Sequence, residues 1–246
     1  LRKDFFDVYL VLKKKGLLVS VFTNATLLTK DHAAFFKKYP PRDIEISVYG
    51  VTKKTYEDVT MTSGSFDAFM KGFELLRAHD IKVRLKAMAL RSNIHELTEI
   101  GEFCRKYTKD YFRFDPFLHL RFDRDEKRNE DIKAERLSPE DIVRIEKADV
   151  ERFGALKKNC DKLINPEFSH HDCRHLFHCG TGNRSFTVSY KGIFRPCSSL
   201  WHKDCIYDLR KGSLVDAWQN FVPGVRNTTS DKKEFLEKCH RCHLVN

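Results

Sequence analysis

Helix and strand alternate with great regularity over the first 117 residues, and this restricts the chain to a few architectures. Asp4 is placed to cap a helix whose apolar face is Phe5, Val8, Tyr9 and Leu12, with Gly16 as its stop. Residues 17–23 (LLVSVFT) read as a strand. Thr29 caps a helix over 30–39 that Pro40 and Pro41 end. The run 43–49 (DIEISVY) alternates as a strand does. A helix over 66–79 follows, with Ser65 as cap and Phe69, Phe73 and Leu76 facing inward; then come a strand over 81–90, a helix over 94–107 and a fourth strand over 111–117. Strands separated by helices pair in parallel through right-handed crossovers. The fold class is therefore α/β, either a doubly wound sheet or a barrel. Both gather ligands at the C-terminal ends of their strands. Those ends carry Thr23-Asn24, Ser47-Val48-Tyr49-Gly50, Ala87-Met88 and Asp115-Pro116.

The pattern then changes. The charged run 118–136 reads as a linker or exposed loop. Ser138, Pro139 and Glu140-Asp141 open one helix, reaching about Asn159. Residues 186–190 and 193–196 flank Lys191-Gly192 as a β-hairpin, and short helices over 213–221 and 231–239 complete the chain.

Of eight cysteines, Cys104, Cys160 and Cys205 stand alone, while Cys173, Cys179, Cys197, Cys239 and Cys242 fall in the last third. A secreted disulfide scaffold does not fit a chain whose other two-thirds reads as a large α/β core. Clustered cysteines in such a chain point to metal. The hairpin folds back between Cys179 and Cys197, and Cys239-His240-Arg241-Cys242 is a C-x-x-C pair at a helix end. Four thiolates suit an iron–sulfur cluster, and zinc accepts the same set. His170, His171, His175 and His178 surround Cys173 and Cys179 and read as loop residues near the metal rather than as ligands.

The formal net charge is +10, but the lysines are spread in pairs over helix faces and no nucleic-acid motif accompanies them. A nucleic-acid partner is not expected; an acidic leader peptide or acidic electron donor uses such charge equally well. No apolar run approaches the roughly 18 residues of a membrane span, so no membrane association is expected either.

Several segments resemble the radical S-adenosylmethionine (radical SAM) enzymes. Phe22-Thr23-Asn24-Ala25-Thr26-Leu27-Leu28 is similar to the "TNGTLL" segment that ends the third barrel strand of that family, and Glu45-Ile46-Ser47-Val48-Tyr49-Gly50 to its "ISxxG" fourth strand. Thr55-Tyr56-Glu57, Gly64-Ser65-Phe66-Asp67 and Asn93-Ile94-His95-Glu96-Leu97 resemble its "ETY", "GSF" and "N-x-x-E" segments. Cys179, Gly192, Cys197 and Cys239-x-x-Cys242, with Cys173 six residues before Cys179, resemble the opening of the SPASM iron–sulfur domain.

The resemblance implies a partial (β/α)6 TIM-like barrel lacking its first two βα units, followed by a small α+β cysteine-rich SPASM or twitch domain with a β-hairpin. The implied division is 1–125 for strands three to six of the barrel, 126–165 for a charged linker and connecting helix, and 166–246 for the auxiliary iron–sulfur domain. It further implies 4Fe-4S clusters and S-adenosylmethionine as cofactors and a 5′-deoxyadenosyl radical that abstracts hydrogen, most often from a peptide or protein. A flavodoxin or ferredoxin would act as reductant, in the cytoplasm. Thr23 and Asn24 would line the nucleoside pocket and Ser47 would bind the methionine carboxylate or ribose. Cys173, Cys179, Cys197, Cys239 and Cys242 would hold metal.

The family's catalytic C-x-x-x-C-x-x-C and "GGEP" motifs do not occur here. The first residues resemble the "LLRPDF" that follows the latter, and there is no initiating Met. The expectation is a truncated chain, inactive by itself, with no catalytic residue. At the other end two arrangements stay open. One is a clipped SPASM domain using Cys173 as well; the other is a twitch domain with Cys179, Cys197, Cys239 and Cys242 around one cluster. Ser198 stands where sulfatase-maturing members place Asp, which argues against that substrate. The alternative from another class is a zinc-stabilised, non-catalytic binding module.

Overall fold

The computed structural model describes residues 3–108, 112–121, 125–161, 174–177 and 179–239. Contacts divide the chain into two units, Leu1–Leu120 with Glu126–Leu163, and Arg121–Asp125 with Ile164–Asn246.

The first unit is a parallel sheet in the order β1-β2-β3-β4, formed by Ser20–Thr23, Asp43–Val48, Val83–Met88 and Phe114–Asp115. The connections are helical: α2 (Lys30–Lys38), α3 (Lys53–Thr60) with α4 (Ser65–Ala78), and α5 (Leu97–Tyr107), while α1 (Phe5–Lys14) precedes β1. Side chains alternate across each strand. Ile44, Ile46 and Val48 of β2 and Val83, Leu85 and Ala87 of β3 form one row, buried in a single core with Phe36, Phe69, Phe73, Leu76, Ile100 and Cys104 from the helices. Cys104 is a core thiol, pushed up to about 12 by burial.

Several boundaries differ from the sequence expectations for local reasons. Gly64, with φ of 77°, takes the cap position of α4, and Ser65 Oγ instead pairs with Thr60 Oγ1 at 2.6 Å. The charged run contains a helix, α6 (Glu126–Glu135), carried by residues that favour helix and by Arg128–Asp131 and Lys133–Glu130 pairs at 3.9 and 3.8 Å. No residue of α6 is buried; its C-terminal end is tied down by Glu135, which accepts hydrogen bonds from Ser92 N and Oγ. The single helix expected from Ser138 is two, α7 (Pro139–Ala148) and α8 (Val150–Asp161). Asp149 is extended between them, its carboxylate accepting from Arg152 N at 3.0 Å and from Arg105.

In the second unit, β5 (Thr187–Val188), β6 (Ile193–Arg195) and β7 (Tyr207–Asp208) form an antiparallel sheet. The hairpin falls where expected, turning at Gly192 with φ of 76°; β7 was not legible. A small core of Phe194, Ala217 and Val222 is covered by Tyr207, Leu209, Trp218 and Phe221. The helix after Ser213 continues past Phe221: α9 (Leu214–Asp216), a π-helical stretch Ala217–Phe221 and α10 (Val222–Arg226) are consecutive. Among the described residues no helix is long and apolar enough to cross a membrane.

Candidate functional site

The row of strand residues opposite the buried one is mostly polar, with Phe22 and Met88 as its apolar members. Cross-strand register pairs Phe22 with Glu45, Glu45 with Arg84, Ser47 with Lys86 and Met88 with Asp115, so these side chains share a face. Lys86 Nζ lies 2.5 Å from Asp115 Oδ2 and 3.8 Å from Glu45 Oε1. Arg113 reaches Glu45 at 3.9 Å and Arg84 reaches Asp43 at 3.7 Å. One face of a parallel sheet thus packs on helices, while the other carries a two-sign lattice ending at Ser47, Met88 and Asp115. Glu45 and Asp115 stand in segments named from the sequence but were not assigned to the site, and Arg84 and Lys86 were not singled out. Part of the signal was available: Asp43, Glu45 and Ser47 alternate with apolar residues in DIEISV, as Arg84 and Lys86 do in VRLKAM, where a parallel strand covered on both faces is apolar throughout.

The expected nucleoside-pocket residues sit at the C-terminal end of β1. Thr23 pairs with Ile46, and Asn24 follows directly where β1 ends, as Ser47 follows Ile46 in β2. Thr23 shares the parity of the apolar row, and its Oγ1 accepts a hydrogen bond from Ala25 N at 3.0 Å. Asn24 Oδ1 accepts from Thr26 N and Oγ1 at 3.2 and 3.0 Å. The turn is folded down onto α4, where a β-carbon on Gly72 would lie 2.0 Å from Ala25 O. Gly72→Ala is therefore expected to cost about 2 kcal/mol by forcing α4 away from this turn; chemical denaturation measures it, and an unchanged midpoint would mean that the contact is not kept in solution.

The ends of β2 and β3 are latched together by the Asn93–Glu96 segment. Asn93, fully buried, donates from Nδ2 to Tyr49 O at 2.9 Å and to Met88 O at 3.0 Å, and accepts from Leu90 N at 2.8 Å. Glu96 Oε2 accepts from Val51 N and Thr52 N at 2.9 and 3.2 Å, while Oε1 accepts from the Thr52 hydroxyl and, at 2.6 Å, from Thr55 Oγ1. Burial raises the pKa of this carboxyl, but the hydroxyls of Thr52 and Thr55 and the amides of Val51 and Thr52 outweigh it and hold the group below its ordinary value.

Of the five expected metal ligands, Cys173 and Cys242 lie outside the described residues, as do His170, His171 and His178. Cys239 ends the last described element, a π-helical turn Phe235–Cys239. Cys179 and Cys197 are free thiols, the first exposed and the second half-buried. They are carried by neighbouring segments: a β-carbon on Gly182 would lie 3.4 Å from Pro196 Cβ, and Arg226 Nη1 donates to Thr181 O. The Cys179 thiol is held below its usual pKa by Thr181 Oγ1 at 2.8 Å, helped by the Thr181 amide and the charge of Arg226 and opposed by partial burial. Ser199 N donates to Cys197 Sγ at 3.4 Å. Amides and cations around two thiolates suit an anionic metal–sulfur group. Among the described residues no three His, Cys, Asp or Glu side chains converge on one ion position.

Residues 1–104, which contain β1 to β3 and most of α5, match the Radical SAM superfamily. This segment belongs to that superfamily. Three relatives extend the likeness beyond the radical SAM segment. The chain is 23% identical over 252 residues to the antilisterial bacteriocin subtilosin biosynthesis protein AlbA of Bacillus subtilis, covering 94% of this chain and 51% of that protein. It superposes on Streptococcus suis SuiB with a TM-score of 0.66 at 16% identity, over 95% of this chain and 56% of SuiB. On anSMEcpe, solved with bound AdoMet, the TM-score is 0.57 at 13% identity, over 95% of this chain and 69% of the other. SuiB has also been solved bound to the precursor peptide SuiA. These structures establish a shared fold across both units, a parallel sheet with helices and a small antiparallel sheet. The chain spans between 29% and 65% of the length of the curated relatives it matches.

Proposed function

We propose that this chain supplies strands three to six of a six-stranded radical SAM barrel, with an auxiliary iron–sulfur region after it, in an enzyme that modifies a peptide or protein. The observation that carries the reading is the coincidence of the radical SAM match with a strand face lined by Glu45, Ser47, Arg84, Lys86 and Asp115. S-adenosylmethionine presents a carboxylate, an ammonium, a sulfonium and ribose hydroxyls, so a face bearing both signs of charge is complementary to it. Bound to a reduced 4Fe-4S cluster, it supplies hydrogen-atom abstraction, chemistry that belongs to the cofactor.

The residues of this chain bind and orient. Ser47 offers a hydroxyl to the ribose or carboxylate, and Lys86, next to it in register, offers an ammonium to the carboxylate. Asn24, with Thr23 holding its turn, borders the nucleoside. The Asn93 and Glu96 latch keeps the ends of β2 and β3 at fixed separation, which such positioning requires. Cys179 and Cys197, with Cys173, Cys239 and Cys242, are the proposed ligands of the auxiliary site.

The substrate class is supported by AlbA, a bacteriocin biosynthesis protein, and by SuiB, solved with its precursor peptide. A net charge of +10 suits an acidic leader or an acidic flavodoxin- or ferredoxin-type donor. Oxygen-sensitive clusters suit the cytoplasm.

A protein that carries this chain together with a C-x-x-x-C-x-x-C segment, purified anaerobically and reduced with dithionite, is expected to convert S-adenosylmethionine to 5′-deoxyadenosine, and Ser47→Ala to weaken that turnover by roughly tenfold, about 1.4 kcal/mol. The 246 residues alone contain no C-x-x-x-C-x-x-C and are expected to form none. Such a protein binding zinc, staying colourless and leaving S-adenosylmethionine intact would replace this reading with that of a structural binding module.

A further inference from the structure

Arg195, at the end of β6 and two residues before Cys197, is 5% exposed, yet its Nε and Nη1 have no hydrogen-bond partner among the described residues. A guanidinium is always charged and carries five N–H donors, so burying it unpaired is unfavourable unless an anion is supplied. The environment holds the group rather than neutralising it. The Trp201 ring covers one face, with Cζ 3.7 Å from the ring centroid, and the ring is fixed by its own Nε1 donating to Ser198 O at 2.8 Å. Stacking occupies the face of the guanidinium and leaves its in-plane N–H groups to donate sideways. Arg195 pairs with Thr187 across the hairpin, and Pro196 directs the chain into Cys197, against the turn that carries Cys179. A second cation, Arg226, lies within electrostatic reach of Cys179.

We propose that Arg195 is a positioning residue for the auxiliary iron–sulfur cluster at Cys179 and Cys197, donating N–H bonds to its sulfur atoms and raising its reduction potential. The proposal rests on the iron–sulfur reading of the cysteines given above. A cluster gains a negative charge on one-electron reduction, so a fixed adjacent cation stabilises the reduced form more than the oxidised one. Among the described residues no carboxylate pairs with Arg195.

The test uses the 246-residue chain itself, reconstituted anaerobically with iron and sulfide. Because it has no C-x-x-x-C-x-x-C, any cluster it binds belongs to the C-terminal cysteines. Iron and sulfide content and the midpoint potential, followed by electron paramagnetic resonance, are compared for the unsubstituted chain, Arg195→Met and Arg195→Lys. Arg195→Met is expected to keep its iron and to shift the one-electron reduction equilibrium tenfold toward the oxidised form, about 59 mV. Arg195→Lys, which keeps the charge, is expected to recover part of that shift. Unchanged potentials at unchanged iron content would overturn the role of Arg195 and leave the cluster intact. If Arg195→Met fails to load, Arg195→Lys decides: a shifted potential supports the proposal and a coincident one overturns it. An unsubstituted chain that binds only zinc overturns the cluster reading and this proposal with it.

Discussion

Arg152→Leu is expected to destabilise the sheet unit by about 3–5 kcal/mol, measured as a loss in urea unfolding free energy at neutral pH. Arg152 and Glu146 are both buried and meet through two hydrogen bonds, Nε to Oε2 at 2.7 Å and Nη2 to Oε1 at 2.6 Å. The same guanidinium donates to Phe114 O at 3.1 Å and to Phe112 O at 3.4 Å, and stacks 3.6 Å from the Phe114 ring centroid. It therefore ties α7 and α8 to the last strand of the sheet. Removing it leaves a buried carboxylate without its counterion and two carbonyls without this donor, and the solvation penalty of the carboxylate dominates. The paired change Glu146→Leu with Arg152→Leu removes both charges together and is expected to recover most of the loss. A double variant as unstable as Arg152→Leu would show that the carbonyl contacts, not the orphaned charge, set the cost.

Glu96→Ala is expected to cost about 3 kcal/mol, because the Val51 and Thr52 amides and the Thr52 and Thr55 hydroxyls all lose their shared acceptor. The freed segment begins four residues after Ser47, so the end of β2 proposed to bind ligand is expected to loosen with it. Glu96→Gln separates charge from shape. The folded carboxyl titrates below its ordinary value, so its contribution is full above the unfolded pKa of about 4.3 and is lost as pH falls through the folded value. The stability gap between the native chain and Glu96→Gln should therefore be widest at neutral pH and close below about pH 4. A gap independent of pH across that range would remove the carboxylate from the explanation.

The order of elements in the sheet unit was legible because local patterns report it. Period-two runs such as DIEISV and the caps at Thr29 and Ser138 form from neighbouring residues, and they fall where read. Shorter features escaped. Helix α3 follows Thr52, whose hydroxyl accepts from Thr55 N at 3.3 Å, but only a three-residue motif marked it. Strand β7 has two residues, too few to show a period, and its pairing with β6 supplies its conformation. The break at Asp149 depends on Arg105, far away in sequence.

The candidate site divides in the same manner. Asn24 and Ser47 were named from motifs and lie at the ends of the paired strands β1 and β2, whereas Lys86 and Glu45 were visible as residues without a stated face. Asn93 and Glu96 were recognised as a motif, yet their work lies in reaching Tyr49, Met88, Val51 and Thr52.

What the amino-acid order determined by itself is the succession of helices and strands, the parallel pairing this forces, and a thiol-rich final third, because backbone periodicity and residue chemistry are properties of short segments. Only the tertiary structure decided that the charged residues of three strands join in one cross-strand lattice, that the Asn93–Glu96 segment latches two strand ends, and that Arg195 is buried under Trp201. Register, burial and the partners of a buried charge arise from residues distant along the chain, and a local pattern cannot encode which of them will meet.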